Sequence, residues 1–236
     1  MKAPSTFAAV IVALCPPAVL AQQAQAPGLG EVMVTANRQN ARYAQADRPV
    51  IGLRRQADSM VIPVTISSDA RDEATRKKEI HTVLLSALDQ ASAAGLELVS
   101  GSVQIEPVTR ENYQNLPFEW AGRVDTSKVD LMVKAKLDGS AASSSKKLLG
   151  FIGSVRGSGR ATIETRGGAI LTIVNPDQYR EAVIKLVAAD AQHAADLFGP
   201  SFTFNISGID GQISWSQVSS AEVFLYIPYR YAIVPK

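Results

Sequence analysis

The feature that most constrains this chain is an alternation of apolar and mostly polar residues from Lys128 to Asp138, in which Met132 is the one apolar member of the second set. The members of the first set are Val129, Leu131, Val133, Ala135 and Leu137. A two-residue period places all of them on one face of an extended strand, which favours an antiparallel sheet with one face on a core. A second alternation runs from Met60 to Ser67. Pro63 predicts that this second strand lies at a sheet edge, because proline cannot donate a ladder hydrogen bond.

Three segments have the spacing of amphipathic helices. The first is expected to begin at Asp69 as its cap and to end at Gly95. The second covers Ser140–Val155, and the third runs from Asn175, its expected cap, to Gly199. The residues of the second helix expected to face the core are Leu148, Leu149, Ile152 and Val155. Those of the third helix are Val183, Leu186, Val187, Ala194, Leu197 and Phe198.

The remaining strands are short and separate the helices. They are expected at Leu96–Val108, Ala161–Thr165, Ala169–Val174, Phe202–Ser207, Gly211–Gln217 and Glu222–Val234. Each helix is apolar on one side only, and each long strand alternates. The pattern therefore predicts an α+β fold, with amphipathic helices packed on one face of mainly antiparallel sheets.

Composition excludes several classes of protein. The chain has 236 residues, of which 46% are hydrophobic, so it is too apolar for wholesale disorder. Its 24 Lys and Arg against 22 Asp and Glu exclude a polybasic nucleic-acid binder. One cysteine excludes a disulfide scaffold and a cysteine-ligated metal site.

The first residues are typical of a secretory signal. Lys2 supplies a positive end, residues 7–14 are apolar, and a small-residue cleavage site ends at Ala21. We therefore expect Met1–Ala21 to be a signal peptide. Cys15 leaves lipidation open as an alternative, although a lipidation site prefers a smaller residue than Leu14 before the cysteine. No later stretch reaches the roughly 20 apolar residues that a transmembrane helix needs.

The predicted mature chain has two parts. Residues 22–57 are rich in Gln, Ala and Arg and lack a lasting apolar period, so we expect a flexible N-terminal arm. The β-branched run Glu31–Arg38 predicts one short extended segment within this arm. Residues 58–236 are predicted to form the α+β domain.

Nothing in the sequence marks a catalytic, cofactor-binding or metal-binding residue. The two histidines, His81 and His193, lie on predicted helices without zinc-ligand spacing. The glycine-rich run 153–160 lacks the Gly-Lys-Ser/Thr ending of a phosphate-binding loop, and Gly-x-Ser-x-Gly is absent. We therefore predict a protein that is not an enzyme and needs no cofactor. A hydrolase with a dispersed site is kept as an alternative.

Two aromatic residues in the loop 109–123 are candidate partner contacts. Exposed Tyr and Trp side chains bring a large contact area at low entropic cost, so Tyr113 and Trp120 are singled out. Local packing of both rings is the other interpretation. The same loop supports an alternative function, a periplasmic ligand-binding module with Tyr113–Trp120 over a cleft.

The chain resembles the SIMPL-domain family of bacterial envelope proteins. Three stretches carry the resemblance: the helix Arg71–Ala94, the strand region Gly95–Arg110 with Ile105-Glu106-Pro107-Val108-Thr109, and the helix Asn175–Phe198 with its strand-rich close. The resemblance implies a periplasmic or outer-membrane-associated protein, assembly into oligomers and a link to envelope or oxidative stress. The family has no established active site, so it implies no catalytic residue.

A smaller likeness lies in Glu31–Arg38, which resembles the TonB box of outer-membrane receptors. Such a segment binds by adding a strand to its partner's sheet edge. Val32, Val34 and Thr35 are therefore candidate contacts with an envelope protein. A plain N-terminal strand is the other interpretation. The leading hypothesis is a non-enzymatic envelope protein that acts by self-association and protein contacts.

Overall fold

A computed structural model describes residues 30–34, 51–123 and 125–236. The predicted signal peptide Met1–Ala21, with Cys15, lies outside the described residues. So do Thr35 and most of the predicted arm. The described part contains thirteen strands, three α-helices and two short 3-10 helices, which is the α+β class expected.

The described residues form the following elements in chain order. The strands are β1 (Glu31–Val34), β2 (Leu53–Gln56), β3 (Ser59–Ser68), β4 (Glu97–Ser100), β5 (Glu106–Pro107), β6 (Glu119–Trp120), β7 (Ser127–Lys136), β8 (Thr162–Thr165), β9 (Ile170–Val174), β10 (Phe202–Ser207), β11 (Ser214–Gln217), β12 (Glu222–Tyr226) and β13 (Arg230–Pro235). The α-helices are α1 (Glu73–Ala93), α2 (Ala141–Ser154) and α3 (Arg180–Phe198), and the 3-10 helices are Tyr113–Asn115 and Pro176–Tyr179. Every strand pairing is antiparallel.

The largest sheet has the order β1-β9-β3-β7-β4-β5, with β6 added to β7 and β8 added to β3. The expectation of an edge strand at Pro63 is wrong, because β3 is central. It pairs along its full length with β7 on one side and with β8 and β9 on the other. Pro63 falls between the registers of β8 and β9, where its carbonyl accepts a bond from the Arg166 amide, so its missing N–H removes no ladder bond on that side.

This sheet closes on itself through β1. Its far edge forms an isolated bridge between Val32 and Gln104. The Met33 amide donates to the Val103 carbonyl at 3.1 Å, and the Ile105 amide donates to the Glu31 carbonyl at 3.0 Å. The segment 103–105 leads directly into β5, at the opposite end of the strand order. We call this arrangement the closed sheet.

The closed sheet has apolar residues on both faces. Its interior holds Met33, Val61, Val99, Ile105 and Met132, with Ile170 partly buried beside them. Its outer face forms a larger cluster with α1 and α2, to which α1 contributes Ile80, Val83, Leu84, Ala87 and Ala91. The predicted inward face of α2 is confirmed for Leu148, Ile152 and Val155, whereas Leu149 is 50% exposed.

Three predicted boundaries differ from the structure. The cap of α1 is Asp72, whose carboxylate accepts from the Thr75 amide at 2.8 Å, and not Asp69. The expected strand Leu96–Val108 is two strands, because Gly101 turns the chain at φ +131°. A Cβ there would lie 2.0 Å from the Gln104 carbonyl oxygen, so only glycine fits this turn. Asn175 makes no side-chain cap, and a 3-10 turn precedes α3.

The C-terminal third adds two smaller sheets. One has the order β11-β12-β2, and it joins the closed sheet where the Trp215 indole donates to the Met33 carbonyl at 3.2 Å. The other, which we call the ribbon, consists of β10 and β13 alone. The last predicted strand is broken near Pro228 into β12 and β13. The short extended segment expected within Glu31–Arg38 is present as β1, but β1 and β2 pair within these sheets and are not parts of a free arm.

Candidate interaction surface

The ribbon is the least covered sheet among the described residues. Its six register pairs run from Phe202↔Pro235 to Ser207↔Arg230. In this part of the chain neither β10 nor β13 has a second strand neighbour, so each presents one open edge. Open edges carry unpaired N–H and C=O groups that can pair with another chain.

The inner face of the ribbon is apolar but incompletely buried. Its members are Phe202, Phe204, Ile206, Tyr231 and Ile233, and all five remain partly accessible. The helix α3 packs against the ribbon, and its buried residues recur at every fourth position: Val183, Val187, Ala191 and Ala195. Val183 and Val187 belong to the large core cluster. The Tyr231 hydroxyl donates to the Asp190 carboxylate at 3.3 Å, which ties helix and ribbon together.

The C-terminal end of α3 carries two exposed apolar side chains. Leu197 is 74% exposed and Phe198 is 64% exposed, and the Phe198 ring lies 6.0 Å from that of Phe202. The prediction that Leu186, Leu197 and Phe198 face the core is therefore wrong. Single exposed apolar residues are common, but neighbouring ones beside an open sheet edge are typical of an interaction site. We call Leu197, Phe198, Phe202 and the ribbon edges the ribbon surface.

Val32 and Val34 do not form a free contact surface. Both are fully buried, and their strand pairs with β9 in the register Val32↔Ile173 and Val34↔Leu171. The prediction that they contact a partner needs correction, because the chain's own sheet already occupies the edges of this strand. Thr35 lies outside the described residues. The segment that resembles a TonB box therefore pairs with strands of its own chain.

Of the two loop aromatics, only Trp120 is available for contact. Its side chain is 63% exposed on β6, next to the paired residue Ser127. Tyr113 is half-buried and lies edge-on to His81 at 5.2 Å between ring centroids. Phe118 lies edge-on to the same imidazole at 5.3 Å. Local packing therefore accounts for Tyr113.

His81 lies within this aromatic cluster and has no polar partner there among the described residues. Its Nε2 is buried and has no hydrogen-bond partner among the described residues. Burial lowers the pKa of His81 below its ordinary value, and the nearby Lys77 ammonium lowers it further. Neither His81 nor His193 has a hydrogen bond to a carboxylate or a serine hydroxyl in the described ranges. The structure therefore does not bring together a nucleophile and a base around either histidine.

The most buried ion pair among the described residues lies at the rim of the closed sheet. Lys134 forms ion pairs with Glu31 and, at 3.0 Å, with Glu97. The fully buried Thr172 hydroxyl donates to Glu31 at 2.5 Å. Burial alone would lower the pKa of Lys134, but the hydrogen bonds to Glu31 and Glu97 outweigh burial and raise it. The two carboxylates therefore favour the charged ammonium form of Lys134.

A second polar cluster lies further along β7 and is also internally satisfied. Asp130 accepts from Thr65 at 2.5 Å and pairs with Lys128 and Arg166. Burial raises the pKa of Asp130, but the hydrogen bonds from Lys128 and Thr65 outweigh burial and lower it. No group of three or more His, Cys, Asp or Glu side chains with metal-binding geometry is found within residues 30–34, 51–123 and 125–236.

One cavity lies between α1 and β4, apart from the loop aromatics. Its volume is about 480 Å³, and its floor is formed by Leu88, Leu96, Leu98 and Val108. At its rim Arg110 pairs with Asp89 at 2.5 Å, so the two charges neutralise each other. Neither Tyr113 nor Trp120 lines this cavity. The cavity therefore has an apolar floor and an ion pair of no net charge at its rim.

Two comparisons with known proteins bear on this arrangement. No protein-family model matches the chain, and no curated protein matches it. The SIMPL resemblance stays a prediction. In the described part of the chain, no helix combines the length and the apolar content that a bilayer crossing requires.

Proposed function

We propose that this chain is a non-enzymatic envelope protein of the periplasm that acts by self-association and protein contacts. The ribbon surface is the observation that carries the proposal. It combines exposed Leu197 and Phe198 with two open strand edges, whereas the charged clusters are paired within the fold. The resemblance to envelope proteins supports a role in envelope or oxidative stress.

The occupant that best fits this surface is a second copy of the chain. A two-stranded ribbon is marginally stable alone, and it gains from neighbours that extend it. Because every pairing in the described chain is antiparallel, the edge of β13 or β10 can pair with the same edge of another copy across a two-fold axis. Such pairing would bring Leu197 and Phe198 of each copy against an apolar neighbour and remove their exposed area from water.

The test is the mass of the purified exported protein by light scattering at micromolar concentrations. We expect an oligomer from the unchanged chain. The double substitution Leu197→Ser and Phe198→Ser should shift it to the monomer, because it removes the apolar area without touching the buried stripe of α3. Leu149→Ser is the matched control, since Leu149 is also exposed and helical but lies on α2. A monomeric unchanged chain, or equal loss of assembly in both variants, would contradict the proposal.

A further inference from the structure

The strand β1 occupies a slot that is open on both sides without it. On one side it pairs with β9 from Glu31↔Val174 to Val34↔Leu171. On the other it exchanges backbone hydrogen bonds with the segment 103–105. Four residues thus complete a sheet whose two edges come from distant parts of the chain. Strand addition of this kind is a recurring mode of peptide recognition, in which main-chain bonds supply affinity.

The side chains of β1 fit the slot by alternation. Val32 and Val34 enter the large outer core, whereas Met33 enters the interior. Glu31 lies on the same face as Met33 and reaches the ammonium of Lys134 and the hydroxyl of Thr172. The slot therefore selects an acidic residue followed by three apolar residues. The register of β1 in the slot is therefore specific, because a one-residue slip would place apolar side chains at Lys134.

The slot can be filled either by β1 of the same chain or by β1 of a second copy, because the link between β1 and the rest of the chain is long. Every pairing partner of β1 lies about 70 or more residues away in the sequence. The next strand, β2, belongs to a different sheet, and residues 35–52 separate the two strands. At about 3.3 Å per residue, these 18 residues can span up to about 60 Å. An identical strand from a neighbouring copy makes the same contacts and competes only against the effective concentration of the tethered one.

We propose that β1 exchanges between copies, so that Glu31–Val34 of one chain fills the slot of another. This proposal rests on the proposed self-association, because contact at the ribbon surface raises the local concentration of neighbouring strands. It assigns to the Glu31–Lys134 pair a second role as the recognition element between chains. The occupant is a second copy and not a foreign peptide, because the slot matches all four side chains of the chain's own strand.

Charge-swap complementation tests the exchange in the full chain. Glu31→Lys alone places two lysines in the slot. Lys134→Glu alone places three carboxylates there, since Glu97 also contacts this position. Each variant should therefore melt at a lower temperature than the unchanged chain. When the two variants are mixed, each slot obtains an opposite charge only if the strands exchange. We expect a heterodimer, isolated by a different tag on each variant, that melts close to the unchanged chain. Glu31→Lys with Lys134→Glu in one chain is the control, since it restores the pair without exchange.

A second measurement keeps the test decisive if a single variant does not fold. Met33 and Thr172 are directly opposed, and because the Met33 amide bonds to Val103, they form the close, non-hydrogen-bonded kind of pair. Two cysteines there satisfy disulfide geometry. One tagged chain carries Met33→Cys, the other carries Thr172→Cys, and both carry Cys15→Ser.

We expect a mixed disulfide at least tenfold above that of a pair in which Leu149→Cys replaces Met33→Cys. A mixture that melts as its separate components, or a mixed disulfide no greater than that of the Leu149→Cys pair, overturns the exchange. Light scattering of the unchanged chain then decides separately whether self-association through the ribbon surface survives.

Discussion

The closed sheet and the ribbon are both antiparallel, and they differ in what surrounds them. The strand β3 has neighbours on both sides and one fully buried apolar face, whereas β10 and β13 have one neighbour each in the described chain. Phe202, Phe204 and Ile206 alternate like Ile62, Val64 and Ile66, but the first three stay partly accessible and the last three are buried. Alternation therefore marks a strand with an apolar face and says nothing about whether that face is covered.

The two regions also differ in which side chains they leave exposed to water. In the closed sheet, the half-buried charged residues are paired, Lys134 with Glu31 and Glu97 and Asp130 with Lys128 and Arg166. At the ribbon surface, large apolar side chains remain in water, as Leu197 does. The closed sheet thus supplies stability, and the ribbon surface is where further contacts can form.

The largest effect should come from breaking the charge pair of the closed sheet. Lys134→Met leaves the Glu31 carboxylate buried beside Thr172 without a cation, so we expect a loss of about 4 kcal/mol in the free energy of unfolding. Glu31→Gln in addition to Lys134→Met should recover most of this loss, because the amide oxygen still accepts from Thr172. Urea titration measures both variants. A loss below about 1 kcal/mol for Lys134→Met would show that the rim is not part of the stable core.

Two leucine truncations compare a buried side chain of the closed sheet with an exposed side chain of the ribbon surface. Leu98→Ala removes a buried side chain from β4 and should cost about 3 kcal/mol, because a cavity remains. Leu197→Ala removes an exposed one and should change the stability of the monomer by less than about 0.5 kcal/mol. Urea titration at a concentration low enough to keep both variants monomeric checks this. Equal losses would mean that the end of α3 is covered within one chain.

The smallest effect should come from the helix starts of the two regions. The Ser140 hydroxyl accepts from the Ser143 amide at 3.1 Å at the start of α2, so Ser140→Ala should cost about 1 kcal/mol. Asn175 precedes α3 at φ 41°, and its buried Oδ1 has no partner in the described residues. Asn175→Gly should therefore leave stability unchanged or raise it slightly. Thermal melts of both variants check the contrast, which fails if the two substitutions cost the same.

The helices and strands were largely predictable, because their periods are local properties. The second helix, expected over Ser140–Val155, is found at Ala141–Ser154 with Ser140 as its cap. The strand expected from Lys128 lies at Ser127–Lys136. The starts of α1 and α3 were not predicted correctly, because several polar residues there can serve as caps and tertiary contacts choose among them.

The candidate contacts were less predictable than the fold. Val32 and Val34 were expected on a free arm, and they are buried because two distant edges leave room for a strand. Leu197 and Phe198 were expected in the core, and they are exposed at the C-terminal end of α3. The sequence contains no signal for either outcome, since both depend on which elements pack together in the folded chain.

The sequence by itself determined that this chain forms amphipathic helices and alternating strands in an α+β arrangement. Those properties follow from the spacing of apolar residues along a few turns or a few strand positions. Only the tertiary structure decided that Pro63 lies in a central strand, that β1 closes the main sheet and that the ribbon keeps open edges. Strand neighbours are set by contacts between residues far apart in the chain, and local spacing carries no information about which distant edge will meet which.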